Sequence, residues 1–155
     1  TYLDKLKLDF PYIGSLYRKL YLSRISDNLN TMIISGIPII KALEITSAVV
    51  DNKIYQAILT DALKKVKEGT PLSEAFSQHK EIPVLLTQMI KVGEETGELG
   101  NILKSLAKFY QREVTSAVDT LVGLIEPVMI VGLGLGVGFL LAAVLMPIYN
   151  IASAT

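Results

Sequence analysis

The sequence predicts an all-α fold, an antiparallel bundle of about six helices whose last helix continues into a transmembrane helix. Three observations support this fold. Apolar residues recur at steps of three and four through residues 11–121, which is the spacing of a helix with one buried face. Gly and Pro separate these segments, with Gly after a helix end and Pro at the next start. An unbroken apolar run then fills residues 128–146, and about 20 such residues suffice to cross a bilayer.

Breaker residues give each predicted helix its boundaries. The predicted helices cover about 11–35, 38–50, 53–68, a short segment from residue 71, 83–96 and 98–146. Gly69 ends the third helix, Thr70 is predicted to cap the fourth, and Pro71 occupies its first turn. No proline lies between Glu98 and Pro127, so the last helix would be roughly 70 Å long. Such a helix would join the bundle to the bilayer without a flexible linker.

Two segments share one local pattern. GIPIIKAL (36–43) and GTPLSEAF (69–76) both read G-x-P-[IL]-x-x-A-[LF]. The pattern is compatible with a helical repeat array, although stable arrays usually need three or more copies. The alternative is that one kind of helix corner is used twice. Because the sequence holds only two copies of the pattern, it favours this alternative.

Charged side chains stop abruptly along the chain, because every Asp, Glu, Lys and Arg lies at or before Glu126. We therefore predict a cytoplasmic helical bundle domain over 1–126 and a C-terminal transmembrane helix with a short tail over 127–155. The alternative is that the apolar run is the central helix of a soluble bundle, but a soluble helix of this length usually has a polar face. Lys104, Lys108 and Arg112 precede the run and no charge follows it, which places the bundle in the cytoplasm by the positive-inside rule.

Composition and missing motifs argue against an enzyme. The net charge is +0 and the pI about 6.5, whereas nucleic-acid-binding domains usually carry a clustered basic surface. Cys is absent, and the single His79, predicted to be exposed in a polar turn, cannot build a metal site alone. No G-x-x-x-x-G-K, H-E-x-x-H or G-x-S-x-G motif occurs. We therefore predict no catalytic residue, no cofactor, no metal and no nucleic-acid partner.

The sharpest polar feature is the stretch MIKVGEETGEL (89–99). It places Gly93, Glu94, Glu95, Gly97 and Glu98 around a predicted helix end. Carboxylates near a helix C-terminus oppose the helix dipole, so a sequence that keeps them there is predicted to use them for a basic partner surface or a hard cation. The alternative is a set of solvated charges at a loop.

A second candidate feature lies where the polar body meets the apolar run. Pro127 lacks an N–H and its ring crowds the carbonyl of the residue four positions back, which is Gly123. Glu126 then lies at the level of the lipid headgroups. We predict a membrane hinge formed by these three residues. The alternative is an ordinary interfacial acid beside a proline that opens the membrane helix.

The apolar run carries four glycines in alternate positions, Gly132, Gly134, Gly136 and Gly138. They form two small-xxx-small pairs on nearly opposite helix faces, and small residues allow close backbone approach in lipid. We predict that both faces pack against other helices. The alternative is that these residues only reflect the high frequency of Gly in membrane helices.

Several ordered motifs together resemble one known family. GIPIIKALEI, GTPLSEAF, IPVLLTQMIKVGEETGEL, LAKFYQREV and EPVMIVGLGLGVGFLLAAVLMPIYN are similar, in that order, to the type II secretion F and type IV pilus platform proteins. The opening DFPYIG (9–14) extends the similarity, so that it covers nearly the whole chain. Family members carry two helical cytoplasmic domains and about three membrane helices. This chain resembles the second domain with the last membrane helix.

The resemblance implies a function without catalysis. Its members are inner-membrane platform proteins of bacterial pili, secretion systems and competence machines. It implies contact with a hexameric cytoplasmic motor ATPase, with pilin or pseudopilin subunits and with other inner-membrane assembly components, together with homo-oligomerisation. We therefore expect the chain to couple the motor ATPase to assembly or disassembly of pilin-like subunits. The sequence leaves open which machine it serves.

Two other function classes stay open at this point. A tail-anchored helical adaptor unrelated to pili would also have a single C-terminal span, and a gene that extends upstream into a second copy of the domain would argue against it. A metal hydrolase using Glu94, Glu95 and Glu98 would need activity that chelation removes. The lack of Cys and of a second His argues against the hydrolase.

Overall fold

The computed structural model describes residues 11–154, with side chains from Ile13 onward, and in this part of the chain every regular element is a helix. The helices are α1 (Pro11–Ile34), α2 (Ile39–Val49), α3 (Lys53–Lys67), α4 (Leu72–Ser77), α5 (Val84–Thr96) and α6 (Leu99–Ala152). The predicted all-α class and the long apolar last helix are confirmed. The DFPYIG motif begins at Asp9 and Phe10, which lie outside the described residues.

The helix boundaries follow the Gly and Pro punctuation closely, and the main difference is at the C-terminal end. The last helix was expected to end near Met146, whereas α6 continues through Pro147 to Ala152. A proline removes one backbone hydrogen bond but does not force the chain out of a helical conformation when the surrounding turns remain intact. Pro127 likewise lies inside α6.

The repeated G-x-P pattern forms the same corner at both of its positions. Gly36 and Gly69 have φ of 84° and 97°, the left-handed region that a helix end adopts most easily at Gly. The next N–H bonds to the carbonyl five residues earlier, from Ile37 to Met32 O at 2.9 Å and from Thr70 to Lys65 O at 3.0 Å. This geometry terminates one helix and turns the chain into the next, which supports the helix-corner interpretation.

One detail of the second corner corrects the sequence prediction. The N-cap of α4 is Pro71, and it makes no side-chain capping bond. Thr70 does not cap this helix, because it lies one position too early. The free N–H groups of α4 instead receive a carboxylate from another helix, as described below.

One hydrophobic cluster holds the six helices together. Leu29, Leu43 and Leu106 are fully buried in it, and the aromatic rings of Tyr55 and Phe76 fill the largest volumes. The other buried members come from all six helices: Leu22, Ile25, Ala42, Ile58, Leu59, Ala62, Leu72, Ala75, Leu86, Ile90, Leu103 and Tyr110, with Ile82 from the loop before α5. Burial of such apolar area is the main stabilising contribution to a domain of this size.

The chain divides into two compact units between Thr115 and Ser116. The first unit contains α1 to α5 and the beginning of α6, and it includes the whole buried core. The second unit is the remainder of α6, in which almost every described side chain is exposed. The division between bundle and membrane helix that we placed at 126/127 stays a prediction about where the bilayer begins.

Candidate functional site

Glu94 joins two helices. This residue lies on α5, and its Oε1 accepts hydrogen bonds from the backbone N–H of Leu72 at 2.6 Å and of Ser73 at 3.3 Å. The Ser73 hydroxyl donates to Oε2 at 2.5 Å. The first N–H groups of a helix have no partner inside it, and an anion there also interacts well with the helix dipole. Glu94 therefore caps α4 from a distance of more than twenty residues along the chain.

This contact separates the two adjacent carboxylates of the stretch. Glu94 is half-buried and its oxygens are used inside the molecule, whereas Glu95 is exposed. Both residues line a cleft of about 530 Å³ between α4 and α5, together with Ser73, Glu74 and Lys91. Glu95 is thus the carboxylate of the pair that is free to meet a partner at the surface.

The glycines of this stretch shape the turn between α5 and α6. A side chain at Gly93 would place its Cβ 2.9 Å from Cα of Leu99 and 3.1 Å from Cγ1 of Ile102, so only Gly allows this close approach. Gly97 has φ of 74°, and the Glu98 N–H bonds to Gly93 O at 3.0 Å. The turn therefore ends α5 in the same way as the other two corners.

Glu98 lies in this turn with an exposed side chain, and it accepts a hydrogen bond from Nδ2 of Asn101. Its backbone carbonyl accepts from Ile102 N–H at 3.0 Å, at the start of α6. The five predicted contact residues are thus together at one corner. Two of them, Glu95 and Glu98, present exposed carboxylates, and the other three build the corner.

His79 is not the exposed residue that the sequence predicted. Its Nε2 lies 2.9 Å from Oδ2 of Asp61, and the His79 side chain is 22% exposed. Lys65 donates to the same Asp61 oxygen at 2.6 Å and to Oε1 of Gln78 at 2.5 Å. The hydrogen bond from Lys65 is the main reason that the pKa of Asp61 lies below its ordinary value, and the His79 contact adds to it. This cluster was missed because its members come together only when the loop after α4 folds onto α3.

The predicted hinge and packing residues lie in the second unit. Gly123, Glu126 and Pro127 are exposed positions within α6. A Cβ added at Gly123, or at any of the four glycines Gly132, Gly134, Gly136 and Gly138, would meet no heavy atom within 4 Å. Both glycine faces are therefore open.

In the described part of the chain, no three His, Cys, Asp or Glu side chains come close enough together to hold a metal ion. Among the helices of residues 11–154, one, α6, is long and apolar enough to cross a membrane by its length and composition. The most apolar stretch of α6 is 0% buried, whereas the central helix of a soluble protein is mostly buried.

The sequence model of one protein family, described as type II secretion system (T2SS), protein F, matches residues 25–147. The chain belongs to this family. The resemblance inferred from the ordered motifs is thereby confirmed, and the match runs from the middle of α1 to Pro147, so it includes both the bundle and the apolar part of α6.

The individual proteins to which this chain is similar are named for pilus assembly and for type II secretion. It is 39% identical over 150 residues to the type IV pilus assembly protein PilC of Thermus thermophilus, covering 96% of this chain and 37% of that protein. It is 36% identical to PilC of Myxococcus xanthus, covering 97% and 36%. It is 31% identical to the type II secretion system protein F of Pseudomonas aeruginosa, covering 93% and 36%. The chain thus spans little more than a third of the length of these relatives.

Proposed function

We propose that this chain is part of a non-enzymatic inner-membrane platform protein of a type IV pilus or type II secretion machine. In this role it couples a cytoplasmic motor ATPase to the assembly or disassembly of pilin-like subunits. The observation that carries the proposal is the family match over residues 25–147, since relatives named for both kinds of machine align along almost the whole chain. The bundle lies in the cytoplasm, and the apolar part of α6 crosses the bacterial inner membrane.

The motor ATPase binds at the corner between α5 and α6. Glu95 and Glu98 are exposed there and offer carboxylates to a basic partner surface. Glu94 supports this surface indirectly, because its carboxylate caps α4. Gly93 and Gly97 hold the corner in the shape that brings the Glu95 and Glu98 carboxylates to the surface.

The membrane contacts are made by the open faces of α6. Gly132 with Gly136, and Gly134 with Gly138, leave room for close approach by pilin helices or by α6 of another protomer. Gly123, Glu126 and Pro127 mark the level where the helix enters the bilayer and can bend, because Pro127 leaves the carbonyl of Gly123 without its intrahelical partner.

The contact surface can be tested by charge reversal in the full-length protein in its native host. Glu95→Lys with Glu98→Lys should abolish or strongly reduce pilus assembly or secretion, with normal protein levels. Glu94 is left unchanged in this test because its loss would also uncap α4. The matched control is Asp51→Lys with Glu68→Lys, which makes the same charge change at two other exposed positions. Full activity of the Glu95/Glu98 variant would refute the assigned surface.

The partners can be identified by photo-crosslinking in native membranes. A probe at Glu95 should give an adduct with the motor ATPase, and a probe at Val131 should give an adduct with a pilin-like helix, both identified by mass spectrometry. Self-adducts alone at the two positions, or partners unrelated to pili and secretion, would contradict the platform function and support a tail-anchored adaptor.

A further inference from the structure

A polar groove runs between α1 and the beginning of α6, within the first unit. Its volume is about 420 Å³. Its polar lining includes the side chains of Arg24, Asp27, Asn30, Lys104, Lys108 and Gln111. None of them belongs to the corner between α5 and α6, so the groove is a separate surface of the bundle.

Two contacts fix the register of the helices that form the groove. Nζ of Lys19 lies 2.9 Å from Oε2 of Glu113, and the Ser23 hydroxyl donates to the carbonyl of Ala107 at 3.3 Å. Residue numbers rise along α1 as they fall along α6, so the two helices are antiparallel here. In this register Arg24 lies level with Lys108, and Asp27 lies level with Lys104, each within about one residue.

At the end of the groove where Arg24 lies level with Lys108, no anionic side chain pairs with either cation in the described part of the chain. Both side chains are exposed, and neither forms a salt bridge within residues 11–154, where the bridges involve other pairs. Lys19, one turn earlier on α1, is by contrast neutralised by Glu113. Two cations that face each other across a groove repel one another unless an anion lies between them.

The other end of the groove has a different character. Asp27 lies level with Lys104, but no salt bridge joins them within the described residues. Nearby, the side-chain Oδ1 of Asn30 is buried and without a hydrogen-bond partner in the described part of the molecule. Because this oxygen is inaccessible from outside, Asp27 is the exposed acceptor at this end of the groove.

We propose that this groove is a docking surface for an acidic helical segment of a partner protein. A carboxylate of the segment binds between Arg24 and Lys108, where the guanidinium can form paired hydrogen bonds with it. A basic or amide side chain of the segment lies against Asp27. The proposal goes beyond the platform function described above, because this surface binds acidic groups, whereas the corner at Glu95 and Glu98 presents them.

The mixture of charges favours a protein segment over a lipid surface. Anionic lipid headgroups offer phosphates, which the Asp27 carboxylate in the same groove would repel. A helix that carries both acidic and basic side chains can satisfy Arg24, Lys108 and Asp27 together. Side chains four residues apart lie about 6 Å from each other on a helix, which matches the spacing of Lys104 and Lys108 along α6.

The test is direct binding of a designed peptide to the full-length protein in nanodiscs of neutral lipid. The probe is a fluorescent alanine-based helical peptide with one Glu and one Lys four positions apart, and its twin carries Gln in place of the Glu. Fluorescence anisotropy should show about tenfold tighter binding of the Glu peptide. Arg24→Glu with Lys108→Glu should remove this preference and should bind a third peptide, with Lys in place of Glu, more tightly than the unmodified protein does.

The control is Lys64→Glu with Lys67→Glu, which makes the same charge change at exposed positions of α3 and should leave binding within about twofold. If the charge-reversed groove variant is poorly folded, Arg24→Gln with Lys108→Gln replaces it, with the same expected loss. Equal binding of the Glu and Gln peptides, or equal loss in both charge-reversal variants, would overturn the proposal. Binding to phosphatidylglycerol vesicles that depends on Arg24 and Lys108, without any preference for the Glu peptide, would assign the groove to lipid instead.

Discussion

At the scale of single residues, the polar groups of the bundle differ in how completely they are bonded. Glu94 accepts three hydrogen bonds and links α5 to α4. The Tyr55 hydroxyl, by contrast, is buried and has no partner in the described part of the chain. Its ring stacks on Tyr21 with centroids 5.3 Å apart. The Tyr21 hydroxyl donates to the carbonyl of Asp51 at 3.0 Å, so two stacked tyrosines have opposite hydrogen-bonding states.

We predict that Tyr55→Phe leaves the free energy of unfolding unchanged or raises it by up to about 1 kcal/mol, since it removes an unpaired buried hydroxyl. The matched control, Tyr21→Phe, should lower it by about 0.5–1.5 kcal/mol, because it removes a formed hydrogen bond. Thermal unfolding in detergent, followed by circular dichroism, measures both. A larger loss for Tyr55→Phe than for Tyr21→Phe would contradict the prediction.

Gly93 gives a second prediction at this scale. Gly93→Ala should lower the free energy of unfolding by about 1–3 kcal/mol, because its Cβ would press on the backbone of Leu99 at 2.9 Å. Gly100→Ala is the control, since its Cβ would meet only side-chain atoms, of Ile34 at 3.1 Å and of Ile33 at 3.6 Å, and Ala favours a helix over Gly by about 1 kcal/mol. The same unfolding measurement compares them, and equal stability of the two variants would refute the close-contact explanation.

At the scale of the elements, α6 combines two environments in one helix. Its first turns bury Leu103, Leu106 and Tyr110 in the core of the first unit. Its apolar part in the second unit has exposed side chains throughout. A helix with a polar face could stay in water, but one that is apolar all round has to be covered by lipid or by other helices. The glycine faces leave room for the close approach of a neighbouring helix.

We predict that Gly132→Leu with Gly136→Leu reduces self-association or pilin contact of α6 in membranes. Gly134→Leu with Gly138→Leu tests the opposite face in the same way, since leucine fills the space that small residues leave for a neighbouring backbone. Val131→Leu adds bulk without removing a glycine and serves as the control. Crosslinking yields in native membranes measure the effect. Normal yields in both glycine variants would show that neither face is packed.

At the scale of the whole molecule, net neutrality hides a separation of charge. The formal net charge is +0, yet the corner at Glu95 and Glu98 presents exposed acids and the groove carries the exposed bases Arg24 and Lys108. Opposite local charges favour partners of opposite charge at the two surfaces. Titration of the buried tyrosines Tyr55 and Tyr110 in addition makes the stability of the folded bundle depend on pH.

We predict a loss of stability at alkaline pH from two buried tyrosines. Burial raises the pKa of Tyr55 to about 12 and that of Tyr110 to about 12, from an ordinary value of 10.0. Well below pH 10, both tyrosines are protonated in the folded and in the unfolded protein. Between pH 10 and 12 the unfolded chain loses these protons while the folded protein keeps them, so unfolding becomes more favourable as pH rises.

The expected fall is at most about 2 kcal/mol over this range, after allowance for solvent screening. Melting temperatures at a series of pH values measure it. The double variant Tyr55→Phe with Tyr110→Phe should show a clearly smaller fall than the unmodified protein. The same pH dependence in both proteins would contradict the burial of these hydroxyls.

The sequence by itself determined the helices, their corners and the apolar span, because these depend on local properties. Periodicity of three and four, Gly with a left-handed conformation and Pro at a helix start act within a few residues of the chain. The ordered motifs also identified the family correctly. The two adjacent carboxylates, Glu94 and Glu95, could be recognised as a feature, but their separate roles could not.

Only the tertiary structure decided which charged groups are free. Glu94 meets the N–H groups of Leu72 and Ser73, and His79 meets Asp61, across separations in sequence that no local pattern encodes. Lys19 is paired with Glu113 while Lys108 faces Arg24, which follows from the antiparallel register of α1 and α6. The physical reason is that an ion pair or a cap depends on the positions of two helices, and packing of the core sets those positions.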